Sequence, residues 1–186
     1  MVTLLDLWLP ILAAAVLIHL GGFVMWMVLP HHRGDWKQVP DEDGVLAALR
    51  KSGAGVGQYY FPYRASREAA KDPAWLAKAE AGPMGFLIIG PPGLPRLGKS
   101  LLQYFLYTLG VSFMVGYIAS HTLPAGAPYL PVFRVVGAVA TLAYAAALVP
   151  GAIWFSRSWG SIAREMFDGL VFGLLTAGVF GWLWPR

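Results

Sequence analysis

The sequence predicts an all-α membrane protein: a four-helix transmembrane bundle with a small α+β cytoplasmic insertion between its first and second helices. Three observations carry this. Hydrophobic residues make up 57% of the 186 positions and charged residues only 13%, against about a quarter charged in a soluble domain. The charge is also concentrated: residues 30–100 hold ten of the fourteen Lys and Arg. On either side lie four uncharged or nearly uncharged runs that reach the about 20 helical residues a bilayer requires. The lack of cysteine excludes disulfides, iron–sulfur ligation and thiolate metal sites.

The first run, Leu4–Leu29, reads as an uncleaved span. Its leading MVTLLD has no Lys or Arg and carries Asp6, the wrong charge for a signal peptide, and the apolar run is longer than a signal core. It defines a first segment, residues 1–29. Residues 30–100 form a second, the cytoplasmic α+β cap. In it VPDEDGVLAALRKSG reads as a helix, with acidic residues at its start, basic ones at its end and Gly53 as the stop. GQYYFPY reads as a strand ended by Pro62. KDPAWLAKAEAG is a second helix with Asp72 as cap, and GFLIIG a second strand able to pair with the first. So small a segment carries little core of its own, so it is expected to lean on the bilayer, the helices or a partner. Its aromatic residues Trp36, Tyr59, Tyr60, Phe61 and Tyr63 suit a protein interface.

The third segment, residues 101–186, completes the bundle with spans at Leu101–Ser120, Leu130–Phe155 and Ile162–Trp184. The turn HTLPAGAPY has no Lys or Arg, whereas the next turn holds Arg157, with Arg164 just beyond. The positive-inside rule then puts the cap and the last turn in the cytoplasm and both termini on the outer, periplasmic side of a multi-pass inner-membrane protein. Trp8, Tyr129, Trp182 and Trp184 fall at the outer interface, and Trp26, Tyr104, Trp154 and Trp159 at the inner one. The net charge of +4 follows from this orientation and does not indicate a nucleic-acid partner.

Small residues recur at four-residue steps. Span four has Gly169, Gly173, Ala177 and Gly181; span two has Thr108, Ser112, Gly116 and Ser120; span three has Gly137, Thr141 and Ala145. Such seams let helices approach closely where lipid supplies no hydrophobic drive. The large aromatics Phe105, Phe113, Phe172 and Phe180 are then expected to face lipid or a partner.

GPPGLPRLGKS places Gly93, Gly98, Lys99 and Ser100 at P-loop spacing. The following helix is a span, Pro95 offers no N–H, and no magnesium-binding aspartate follows a second strand, so no nucleotide is expected. Arg96 and Lys99 read instead as headgroup anchors.

Ionisable residues inside spans are functional candidates by default. His19 is the one candidate cofactor ligand, for a haem or quinone shared with a partner; its alternative role is a hydrogen bond to a neighbouring helix. His121 lies too far along span two to pair with it across one haem. The His31–His32–Arg33 run reads as a headgroup contact or stop-transfer flank and no metal site is expected. Glu165 and Asp168 are expected to bond Arg or Lys, with Arg164 and Arg157 nearby, and Asp6 to pair with Arg134.

No complete catalytic set and no polar pathway emerges. The expected role is a non-catalytic accessory or assembly subunit of a larger membrane complex, such as a respiratory or photosynthetic one, bound to lipid and to other membrane subunits. The alternatives are a small oligomeric transporter or channel, or a redox subunit that binds haem or quinone through His19.

Overall fold

A computed structural model describes residues 2–186. It is mostly helical, 67%, with three helices able to span a membrane and one small sheet. The element order is α1 (Trp8–Phe23), α2 (Glu42–Ser52), β1 (Gly57–Phe61), α3 (Pro73–Ala81), β2 (Gly85–Ile89), α4 (Leu97–Thr122), α5 (Tyr129–Ala145), α6 (Val149–Phe155) and α7 (Trp159–Trp182).

The chain forms two units. One comprises the described residues up to Asp35 with Pro95–Ala152 and Arg157–Arg186; the other comprises Trp36–Leu94 with Ile153–Ser156. The three apolar stretches are Trp8–Val28 (mean hydropathy 2.2), Leu97–Thr122 (1.4) and Tyr129–Phe155 (2.0). Their length and apolar character point to a membrane protein. The third is not one smooth helix. Pro150 has no N–H to give and crowds the carbonyl one turn back, and residues 146–148 tighten into a 3₁₀ turn between α5 and α6.

In the larger unit, α1 packs on α4, α4 on α5, α5 on α7, and α7 back on α1. The seams explain how. The Gly169–Gly173–Ala177–Gly181 face of α7 meets α5: Gly169 lies against Tyr144 and Ala145, Gly173 against Thr141, Ala177 against Gly137, and Gly181 against the Tyr129 ring. The seams of the third and fourth predicted spans therefore interlock with each other. The α4 seam turns to α1: Gly116 lies against Ile11, and the Thr108 hydroxyl donates to the Ala15 carbonyl at 3.3 Å.

Phe172 and Phe180 correct the expectation of lipid-facing aromatics. Both are buried, in one cluster with Ile11, Ile18 and Val115. Helix α7 has two buried faces because it packs against two neighbours. Its small face admits α5, and its Phe172–Thr176–Phe180 face fills the space toward α1 and α4. Phe113 does remain exposed.

The chain's last residues dock beside the α4–α5 turn. Trp184 Nε1 donates to the Pro124 carbonyl at 3.0 Å, and the Gly126 amide donates to Pro185 at 2.8 Å. Trp184→Phe keeps the buried ring and removes one donor, so it should cost about 1 kcal/mol. The change should appear as faster amide exchange confined to Gly126 and its neighbours.

The smaller unit holds β1 and β2 in antiparallel register, Gly57 opposite Ile89 and Phe61 opposite Gly85. Asp41 caps α2 through the Gly44 amide at 3.0 Å, and Gly53 ends it with φ of 72°. Asp72 caps α3 through the Ala74 amide at 2.9 Å, ahead of Pro73. The helices, the strands, the Asp72 cap and the Gly53 stop are those expected from the sequence, and Asp41, expected only as part of the acidic start, is the cap of α2. No residue from Trp36 to Leu94 is buried.

Candidate functional site

The polar centre of the larger unit is built where α1 ends. Pro30 disfavours helical backbone at Leu29, which is extended with ψ of 142°. The helix runs into that stop through a π-helical stretch, Val24–Val28, and leaves it as a 3₁₀ turn, Pro30–His32. Such π segments recur at functional sites because the extra residue re-aims side chains. Here Trp26, on the π stretch, stacks face to face on His32 with ring centroids 3.9 Å apart and planes 7° from parallel. The Asp35 amide closes back on the His32 carbonyl at 3.0 Å.

Opposite this turn, α7 presents Arg164 and Asp168 four residues apart, hence on one face. The two sides interlock by charge. His31 Nε2 lies 2.9 Å from Asp168 Oδ1, and His32 Nε2 lies 2.8 Å from Asp168 Oδ2. His32 Nδ1 lies 2.6 Å from Asp35 Oδ2, while Arg164 Nε donates to Asp35 Oδ1 at 2.8 Å and its Nη2 donates to the same oxygen. His32 is 6% and Asp168 2% exposed.

Burial works against a charged His32, but hydrogen bonds to Asp168 and Asp35 outweigh it and raise its pKa above the ordinary imidazole value. The Arg164 guanidinium, aided by His32, holds the Asp35 carboxyl below the usual carboxylate range despite burial. Both shifts favour the ionised form of their group.

No protein-family model, curated protein or solved structure matches the chain.

Function must therefore be argued from these side chains. The histidine pair, expected as a headgroup contact or stop-transfer flank, has both rings turned to Asp168 of α7 by the turn after Pro30. Asp168 takes histidines instead of Arg or Lys, because Arg164 is engaged by Asp35. Glu165 diverges from Asp168; it pairs with the half-exposed Arg157 and accepts from Ser161 at 3.3 Å. Asp6 does not meet Arg134. Its carboxylate accepts from the Thr3 amide and hydroxyl at 2.8 and 2.7 Å, closing the first turn locally.

His19 makes no hydrogen bond to a neighbouring helix among the described residues. It packs on Tyr104 and Phe105 of α4, ring centroids 5.6 and 5.8 Å away, and its Nδ1 is buried without a partner. Among the described residues, Ser112 Oγ and Tyr144 Oη are likewise buried with no partner at hydrogen-bond geometry. His121, on the same helix, packs on Tyr117 instead, about 25 Å along the helix from the Tyr104 that His19 touches, at 1.5 Å per residue. Gly98, Lys99 and Ser100 form the exposed first turn of α4, and Gly93 has φ of 113°. The strand before them pairs antiparallel with β1, unlike the parallel βαβ setting a P-loop requires. Trp36 is exposed.

One signal for the His–Asp centre was present in the sequence: a buried-type aspartate in an apolar helix four residues after an arginine, and a histidine pair directly after a proline stop. Joining them required the contact between α1 and α7, which no local pattern encodes.

Proposed function

We propose that this chain is a non-catalytic integral membrane protein that serves as an accessory or assembly subunit of a larger membrane complex. The observation that carries this reading is the smaller unit. It has ordered helices and a sheet, yet nothing in Trp36–Leu94 is buried. It also exposes large apolar side chains, Trp36 at 83% and Ile88 at 75% among them. Apolar surface on that scale favours a protein partner. The helix seams are consumed inside the larger unit, which leaves the smaller unit as the surface a partner subunit would use.

In this reading α7 is a fourth span. Its 24 residues reach about 36 Å, its last charge is Asp168, and all three of its charged side chains are paired. Four spans with the basic segment 30–100 on the cytoplasmic side of the inner membrane put both termini outside.

The test is a photo-crosslinking amino acid at Ile88 in the full-length chain, irradiated in intact membranes. The expected result is one dominant adduct with another integral membrane protein. A chain that crosslinks only to lipid and purifies alone in mild detergent would overturn the reading.

A further inference from the structure

We propose that His31, His32 and Asp168 form a binding site for one divalent first-row transition metal ion, with Asp35 and Arg164 as its outer support. This goes beyond the accessory role and does not depend on it.

The contacts of His32 fix where its protons sit. Asp35 is a carboxylate and can only accept, so the 2.6 Å contact makes His32 Nδ1 a donor. A neutral ring then has a lone pair at Nε2. That lone pair faces Asp168 Oδ2 at 2.8 Å, another acceptor. The arrangement demands a positive centre between them, either a second proton or a metal ion. His31 brings a third atom to the same carboxylate at 2.9 Å. The three ligand atoms lie within 4.8 Å of one another.

The spacing suits a metal. With bonds of about 2.0–2.2 Å, neighbouring ligands stand about 3 Å apart in an octahedral sphere and about 3.4 Å in a tetrahedral one; the 2.9 and 2.8 Å contacts, one to each Asp168 oxygen, match the octahedral edge and lengthen by about half an ångström for a tetrahedral ion. The donor set of two imidazoles and a carboxylate, in a chain without cysteine, selects borderline ions such as Zn²⁺, Fe²⁺ or Mn²⁺ over thiolate-loving ones. The surroundings complete the pattern. A ligating histidine characteristically gives its other N–H to a carboxylate that fixes its tautomer and orientation; His32 does so to Asp35, which Arg164 holds in turn. Trp26 locks the ring plane from one face. With neutral imidazoles the set of Asp35, Asp168 and Arg164 carries one net negative charge, which attracts a divalent cation and leaves the loaded site at +1. His31, a quarter exposed, leaves an approach for the ion, whereas His32 and Asp168 are sealed. Three protein ligands leave coordination positions for water.

The test uses the full-length protein in detergent, stripped with a chelator and titrated with Zn²⁺ by calorimetry and with Co²⁺ by its visible bands. One equivalent of each should bind. His31→Ala, at the accessible corner, should weaken Zn²⁺ binding by more than about 100-fold, and Asp35→Asn by about 10–100-fold. His31→Gln serves as the second variant, with gel filtration to show that each chain is folded. His121→Ala should bind like the parent. The proposal is overturned by less than a tenth of an equivalent bound to the folded parent chain. Equal affinity in folded His31→Ala, or binding of Mg²⁺ as tight as that of Zn²⁺, overturns it too.

Discussion

Asp168→Asn is expected to cost about 3–5 kcal/mol of folding stability, the range for breaking a buried ionic pair from one side, whereas Glu165→Gln should cost less than about 1 kcal/mol. The two carboxylates lie on the same helix and look equivalent in sequence. Their surroundings separate them. Asp168 is 2% exposed and is the common acceptor for His31 and His32. Asparagine has one acceptor oxygen to offer two ring nitrogens, and its NH₂ group opposes a donor. The lost charge also leaves Asp35 as the one carboxylate in contact with both Arg164 and His32. Glu165 instead pairs with the exposed Arg157, where water replaces a lost partner. Both variants would be unfolded by denaturant in detergent with chelator present, so that metal release adds nothing to the difference. Trp26 is one of eight tryptophans, so its share of the fluorescence, taken as the difference from the same chains carrying Trp26→Phe, would follow loss of its stacking on His32. Equal midpoints for Asp168→Asn and Glu165→Gln would mean that the tie between the α1 exit and α7 contributes little.

The contrast between those carboxylates shows what the sequence could convey. Elements whose causes are local were legible. The acidic start of α2, the Asp72 cap, the Gly53 stop and the strands ending near Pro62 and Gly90 all follow from neighbouring residues, and three apolar stretches are visible from composition alone. The four-residue recurrence of small side chains was equally plain, because helical period is a property of one segment. Which seam faces which was not. Nothing near Phe172 or Phe180 announces that α7 is buried on two sides, so those rings read as lipid-facing. The same blindness hid the candidate site. His31 and Asp168 are brought together only by the α1–α7 contact, and the inward aim of the rings comes from the π-helical approach and the turn at Pro30. Asp6 was misassigned for the opposite reason: a local partner, Thr3, outcompetes a distant arginine for its carboxylate.

Gly173→Ala should be, with Gly169→Ala, among the most damaging single-methyl changes, at about 3 kcal/mol, the upper end of the range for overfilling a packed interior. A Cβ there would fall 2.9 Å from the Thr141 amide nitrogen and 3.0 Å from its Cα, and would overlap its hydroxyl. Two of those three atoms are backbone, so no rotamer change relieves the clash, and α5 and α7 must separate. Their separation loosens the rest of the seam, because Gly169 packs on the same face so closely that a Cβ added there would fall 2.9 Å from the Tyr144 backbone. Without a hydrophobic drive between helices in lipid, that lost contact has no substitute. Gly110→Ala provides the comparison. No atom lies within 4 Å of its Cβ position, so the helix should gain up to about 1 kcal/mol from the better helix former. Opposite shifts of the detergent unfolding midpoint for the two variants are the expected outcome. A Gly173→Ala chain as stable as Gly110→Ala would show that α5 and α7 are not held at the separation described here, and the packing of the whole larger unit would have to be redrawn.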